Sequence, residues 1–182
     1  MRIGIDMDDT ICRTTEIVHD RLAKYSEELN INPLDIMNDE ELKKNFFAIY
    51  AEDIYSNAEI KRNVKDVLNR LKHKGNEIYI ITSRDDDFAS SKTTAYEVTK
   101  KWLDNNGIEY DKIITSVYRE TRAEIVKENK IDLMIDNDQY NFKMITGLGT
   151  NCILFDDREK YMLKENYYNN WLEVEKYIER NR

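Results

Sequence analysis

Five short runs of the chain are almost continuously apolar: RIGI (2–5), EIYII (77–81), KIIT (112–115), DLMI (132–135) and CILF (152–155). Runs of this length without alternation are the pattern of strands covered on both faces, as in a parallel sheet. Between them the apolar spacing changes to three and four, the helical period. The segment IKRNVKDVLNRLKHK is preceded by Ser56 and Glu59, which read as a capping box, and is ended by Gly75. TTAYEVTKKWLDNNG ends in the same way at Gly107, and RAEIVKENK and YNFKMITG supply two shorter helices. The tail YYNNWLEVEKYI sets Tyr167, Trp171, Val174 and Ile178 on one face of a closing helix, a packing face rather than a binding one.

This rhythm predicts an α/β protein, a parallel sheet with helices on both faces. One interval breaks it. The first and second runs are much farther apart than a crossover requires, and the gap holds TEIVHDRLAKYSEELN, DEELKKNFFAIYAEDIY and the helix that ends at Gly75. In the first of these, Val18, Leu22, Tyr25 and Leu29 form a buried stripe. Two helices beyond the need of a crossover predict a small helical cap inserted after the first strand. The expected division is a core of residues 1–13 and 76–182 with a cap over residues 14–75.

Composition narrows the classes. The chain has 182 residues, of which 41% are hydrophobic and 35% charged, as in a globular protein with one good core. Its net charge of −8 speaks against a nucleic-acid polymer or an anionic membrane as partner. No apolar run approaches the roughly 18 residues of a membrane span, and the N-terminus lacks a signal-peptide pattern. Cys12 and Cys152 are lone thiols that fit a reducing cytoplasm. With one proline, Pro33, and five glycines there is no flexible linker. The expectation is one compact cytoplasmic unit, with oligomeric state unread.

The chemistry lies where the apolar runs stop. Four of them end in polar clusters: IGI before DMDDT, YII before TSRDDD, LMI before DND and ILF before DDR. The C-terminal ends of parallel strands share one edge, where ligands bind. Carboxylates gathered there need a cation or a shared proton to offset their repulsion, and Mg²⁺ suits hard oxygen ligands and substrate phosphate. In extended chain, residues two apart face the same way, so Asp6 and Asp8 address one site. One acid can attack while the other donates a proton to the leaving group. Thr10 adds a hydroxyl, and a Ser or Thr ending the second run, Thr82 or Ser83, can hold a phosphate oxygen. Metal-assisted phosphoryl transfer through an aspartyl phosphate fits this set.

IDMDDTI resembles the DxDxT signature of the haloacid dehalogenase-like phosphatases, with Asp6, Asp8 and Thr10 in its fixed places. IITSR is similar to the second motif of that superfamily and DLMIDNDQYN to the acidic fourth, so the likeness runs from residue 6 to residue 138. It implies a Rossmann-like doubly wound core, Asp6 as nucleophile, Asp8 as general acid/base and Thr82 as phosphate-binding hydroxyl, with Ser83 and Arg84 beside it. It also implies Mg²⁺ held by Asp6, the Asp8 carbonyl and an acid of motif four. More narrowly, the cap position, the passage NAEIKRNVKDVLNRLKHKGNEIYIITSR and the helix NWLEVEKYI resemble the 5′(3′)-deoxyribonucleotidase branch. That branch implies a nucleoside monophosphate substrate, with Phe46, Phe47, Tyr50 and Tyr55 as candidates near the base. Packing within the cap is the competing role for these aromatics.

Two positions depart from the pattern. Where relatives carry a lysine before motif four, this chain has Arg122, with Lys127 the nearest alternative. In IDND the second acid is replaced by Asn137, which leaves Asp136 with Asn137, or Asp138 through a local shift, to complete the metal set; the first reading is favoured. Asp9 is expected to shape the loop or cap a helix, Cys12 to be a buried small residue, and His19 and His73 to lie on the surface. The acids of RDDD (84–87) are expected to be solvated, and those of FDDR (155–158) to cap a helix. A receiver domain would need a lone aspartate ending an inner strand where FAIYAEDIYSN reads as helix, and a nuclease would need a basic groove. A phosphatase of another small metabolite, or a relative that binds phosphate without turnover, is the alternative to the nucleotidase.

Overall fold

The computed structural model describes residues 1–86, 93–161 and 165–181. Its elements run β1 (Arg2–Ile5), α1 (Thr14–Leu29), α2 (Pro33–Asn38), α3 (Glu40–Asn57), α4 (Val64–His73), β2 (Glu77–Ile81), α5 (Ala95–Asn105), β3 (Lys112–Ile114), α6 (Arg122–Glu128), β4 (Leu133–Asp136), α7 (Gln139–Gly147), β5 (Asn151–Phe155), β6 (Tyr167–Tyr168) and α8 (Trp171–Arg180). The strands form one parallel sheet in the order β3-β2-β1-β4-β5-β6. Chain direction across the sheet reverses at β1, so the crevice beyond its end is the topological switch point of a doubly wound fold.

Alternation along each strand divides the core into two layers. Ile3, Ile5, Ile78, Ile80, Leu133, Ile135, Ile153 and Phe155 pack on one face with Val64, Val67, Leu68 and Leu71 of α4, Trp102 and Leu103 of α5, and Trp171, Val174 and Ile178 of α8. Ile81, Met134 and Cys152 pack on the other with Ala123 and Val126 of α6 and Ile145 of α7. Gly4 lies among the second set: a Cβ there would stand 2.8 Å from Met134 Sδ and 3.1 Å from Ile131 Cγ2. Glycine at this position is a packing requirement of the central strand.

The cap is α1–α3, with its own core of Leu22, Tyr25, Ile36, Phe46 and Ile54. It joins the sheet domain through a paired crossing. The Arg13 N–H donates to the Glu59 carbonyl at 2.8 Å and the Lys61 N–H to the Ile11 carbonyl at 2.9 Å, with Cys12 and Ile60 opposed in an antiparallel bridge. The outgoing and returning strands of the cap are thus hydrogen-bonded to each other.

Several expectations change. α3 runs on to Asn57, so Ser56 lies within it, and α4 starts at Val64 behind Asn63, not behind a Ser56–Glu59 capping box. The apolar face of α4, which falls within the stretch to residue 75 expected as cap, packs with the sheet core. Tyr167 forms a two-residue edge strand with Tyr168 and is not on the closing helix, which begins only after the Asn170 side chain accepts from the Glu173 N–H at 3.0 Å. Among the described residues no helix is long and apolar enough to cross a membrane. Cys12 and Cys152 are free and buried.

Candidate active site

β1 delivers Asp6 to the switch point, and the turn behind it is held from within. The Met7 carbonyl accepts from the N–H groups of Thr10, Ile11 and Cys12 at 3.2, 3.0 and 3.3 Å. Asp9 sits at φ 59°, a left-handed conformation that aspartate tolerates better than most residues. Its carboxylate accepts from the Thr15 N–H at 3.0 Å, capping an α1 whose own N-cap, Arg13, offers no side-chain acceptor. Arg158 pairs with the same carboxylate at 3.2 Å. The Trp171 indole N–H reaches the Thr10 carbonyl at 3.2 Å, tying α8 to the turn.

Arg122, at the first turn of α6, lies between Asp6 and Asp136. Its Nη1 donates to Asp6 Oδ1 and, at 2.8 Å, to Asp136 Oδ2, while Nη2 donates to the Val117 carbonyl at 3.2 Å. Lys127 is exposed on the same helix, so Arg122 is the cation that faces these acids. Asp136 also accepts from the Asn141 amide at 3.1 and 3.2 Å and from the Asp138 N–H at 2.9 Å. Asp138 lies on the wall of the same crevice but is engaged elsewhere. It caps α7 through the N–H groups of Tyr140 and Asn141 at 2.8 and 3.0 Å and pairs with Arg119. Thr10 donates to Asp6 Oδ2 at 2.9 Å; at 3.4 Å the Asn137 side-chain oxygen is the poorer acceptor for that single proton. Burial pushes the Asp6 carboxyl up, the like charges of Asp136 and Asp8 add to this, and Arg122 offsets it only in part, leaving it at about 7.

Asp8 is held differently. Oδ1 accepts from Thr14 Oγ1 at 2.6 Å and Arg84 Nη2 at 2.7 Å, and Arg84 Nε lies 3.1 Å from each carboxylate oxygen. Burial favours the neutral acid, but the Arg84 charge, its hydrogen bonds and that of Thr14 outweigh it and hold Asp8 below the usual carboxylate range. Arg84 and Thr82 are buried, whereas Ser83 is exposed. Thr82 Oγ1 lies 3.4 Å from Asp8 Oδ2 and accepts from the Arg84 N–H at 3.3 Å.

A cavity of about 440 Å³ opens over these groups, lined by Asp6, Asp8, Ser83, Arg119, Arg122, Asp136 and Asn137 among others. A second, of about 490 Å³, shares Ser83 and Tyr118 with it and extends between core and cap along Lys43, Lys44, Phe47 and Tyr55. Of the residues expected to touch substrate, Ser83, Phe47 and Tyr55 line cavity wall. Thr10 is fully buried and supports Asp6 instead. Arg84 is buried against Asp8 and Tyr55 rather than presented to a ligand. Phe46 is fully buried with its ring 5.7 Å from Tyr25 and 5.1 Å from Phe47, and Tyr50 packs on Tyr25 and Phe46 at 5.9 and 5.3 Å; both belong to the cap core.

Neighbouring features also find places. Asp86 caps α5 through the Ala95 N–H at 2.5 Å, and Asp85 accepts from the Tyr118 hydroxyl at 2.9 Å; Asp87 lies outside the described residues. Asp156 and Asp157 cap no helix: the first accepts from the Tyr161 N–H at 2.8 Å and the second pairs with Lys61 at 2.6 Å. His19 and His73 are exposed. Burial, with the nearby Asp8 charge, pushes the Cys12 thiol up to about 12, which leaves it inert. Asn141, Thr14 and Arg119 were not singled out in the sequence. The Asp138-x-x-Asn141 spacing at a helix start was the available signal for the first.

The donor set fits Mg²⁺ in kind. Asp6, Asp136 and the Asn137 carbonyl oxygen are hard ligands beside the cavity. Three carboxylates, Asp6, Asp8 and Asp136, face two guanidinium groups, a surplus of one negative charge that adds to burial in raising Asp6. Among the described residues no three acids are already arranged as a ligand cluster, since Arg122 stands between two of them.

No protein-family model matches the chain, and no curated protein sequence matches it. Solved structures do. A hydrolase of the haloacid dehalogenase-like family from Streptococcus pneumoniae is similar over 97% of both chains, with a TM-score of 0.72 at 12% identity. A protein described as a predicted phosphatase from Clostridium acetobutylicum is similar over 98% of both, with a TM-score of 0.71 at 14% identity. The HAD-hydrolase YfnB of Bacillus subtilis, described as bound to magnesium, matches over 97% of both with a TM-score of 0.66 at 13% identity. The fold is therefore the Rossmann-like fold of the haloacid dehalogenase-like hydrolases.

Proposed function

We propose that this protein is a Mg²⁺-dependent phosphomonoester hydrolase with Asp6 as nucleophile. The observation that carries the reading is the convergence of Asp6, Arg122 and Asp136 at the switch point with Asp8 two residues along the same turn. Asp6, without its proton, attacks phosphorus as the bond to the ester oxygen breaks; Asp8, which the Arg84 charge keeps ionised in the resting site, must take up a proton before it gives one to that oxygen. Asp8 then takes a proton from the water that hydrolyses the aspartyl phosphate. Arg122 fixes the Asp6 carboxylate and sets positive charge beside the transferring group. Thr82 and Ser83, at the end of β2, bind its oxygens. Asp6, the Asp8 carbonyl, Asp136 and Asn137 would hold Mg²⁺, which offsets the charge of the phosphate.

For the leaving group we favour a nucleoside. The aromatic side chains of Phe47, Tyr55 and Tyr118 along the cap–core cavity support a flat ring system. The polar residues Glu40, Lys43 and Lys44 of the same cavity support a sugar phosphate as the second reading. We assign a reducing cytoplasm on the two free thiols. The test is phosphate release from nucleoside monophosphates, sugar phosphates and simple esters with added Mg²⁺. Asp6→Asn is expected to lower turnover by more than about 10³-fold with the fold retained. Normal turnover by that variant overturns the nucleophile, and undiminished activity in excess chelator overturns the metal. Nucleotides as the poorest substrates would overturn the nucleoside assignment alone, and a wild type that binds phosphate but hydrolyses nothing would leave a binding protein.

A further inference from the structure

Arg84 is a fully buried cation held mainly by two neighbours, with Cys12 Sγ 3.6 Å from Nη2. One is Asp8. The other is Tyr55 of α3, whose ring lies 4.4 Å from the guanidinium carbon and whose carbonyl accepts from Nη1 at 3.4 Å. A stacked, forked guanidinium holds a carboxylate in one plane, which neither a lysine nor a neutral donor does. The donors are unequally shared. Oδ1 of Asp8 carries Thr14 at 2.6 Å and Arg84 Nη2 at 2.7 Å, with Arg84 Nε at 3.1 Å. Oδ2 has Arg84 Nε at 3.1 Å and only a long approach of 3.4 Å from Thr82. Asp8 is also a wall of the 440 Å³ cavity that Asp6 lines.

We infer that Arg84 is a positioning residue for Asp8: its guanidinium fork holds the carboxyl group in one plane on the wall of the Asp6 cavity, where it can exchange a proton with the substrate, and Tyr55 of α3 braces the fork. This rests on the phosphatase reading above. Its consequence is specific. Leaving groups differ in how much they need a proton, and only those that need it depend on where the Asp8 carboxyl group stands. A phosphate-binding Arg84 would instead serve all phosphomonoesters alike, and a merely structural one would weaken them alike.

The test measures kcat and KM with Mg²⁺ for p-nitrophenyl phosphate, whose leaving group departs without a proton, and for glycerol 2-phosphate, whose alkoxide requires one. Arg84→Gln is expected to lower kcat on the alkyl ester at least fivefold more than on the aryl ester, with KM moving less than kcat. Arg84→Lys, which keeps the charge and loses the fork, is expected to recover part of that difference. Asp8→Asn is expected to show the same bias toward the aryl ester, more strongly. Equal losses on the two esters in Arg84→Gln, or a change confined to KM, would overturn the positioning role while leaving the phosphatase intact. A wild type that hydrolyses neither ester would overturn both. The melting temperatures of wild type, the two single variants Asp8→Asn and Arg84→Gln, and their combination check the pairing itself: the double variant is expected to lose less than the sum of the singles, and strict additivity would overturn it.

Discussion

Arg122 ties together two acids of the candidate site from within the core. Its side chain is buried and donates to two carboxylates and a backbone carbonyl. Removing one partner of a buried charge pair strands the other, at about 3–5 kcal/mol. Arg122→Ala is accordingly expected to lower the unfolding free energy by about that amount, as read by urea denaturation without metal. Arg122→Lys should lose less, because a point charge keeps the attraction while failing to span both acids and the Val117 carbonyl. A loss below about 1 kcal/mol for the alanine variant would show that the acids find other compensation. At this scale the sequence was informative where chemistry depends on spacing: Asp6, Asp8, Asp136 and Arg122 meet as their order in the chain suggested. It was uninformative where direction depends on packing. Arg84 follows two hydroxyl residues and reads as a phosphate ligand, but its orientation is set by Tyr55, a residue of another element that no local pattern connects to it.

Among the elements, the central strand is the most constrained, because it is packed on both faces and feeds the motif turn directly. Gly4 marks the closest approach. Gly4→Ala sets a methyl group 2.8 Å from Met134 Sδ and 3.2 Å from Ile81 Cδ1, and overpacking of this kind costs about 1–3 kcal/mol. The expected outcome is a lower melting temperature with parallel sheet content retained by circular dichroism; an unchanged midpoint would mean that the thioether end swings aside freely. The five longer strands were legible because burial on both faces leaves continuous apolar runs. β6 was not, because two half-buried tyrosines have no period and Tyr167 stands four residues before Trp171, in phase with the helix. The misplaced cap at Ser56 has a related cause. Side-chain caps are local signals, and a helix that continues by tertiary packing, as α3 does to Asn57, passes through them.

For the molecule as a whole, the carboxylates make stability depend on pH and on cation. The folded chain holds the Asp6 proton up to about 7, whereas the unfolded chain releases it at the ordinary value of 3.8. Between these values the unfolded state binds fewer protons, so this group's contribution to stability falls as pH rises. Asp8, held low in the fold, acts in the opposite sense: its contribution is present above its ordinary value and is lost as pH falls. In the proposed site Mg²⁺ would need Asp6 without its proton. The rise in melting temperature on adding Mg²⁺ is therefore expected to be small at about pH 5 and full above about pH 8, by calorimetry. A rise as large in acid as in base would place the ion elsewhere. The helices α1–α3 are the other global feature: the long interval after β1 announced extra helices, while the packing of α4 on the sheet left no mark in its own period. The paired crossing at Cys12 and Ile60 has a consequence for the segment between them. Because the outgoing and returning chains are already bonded to each other, closing an inserted segment costs little more for a long one than a short one, about 0.6 kcal/mol per doubling. A segment between these two strands can therefore be lengthened, shortened or exchanged with little strain on the strand ends where the acids stand.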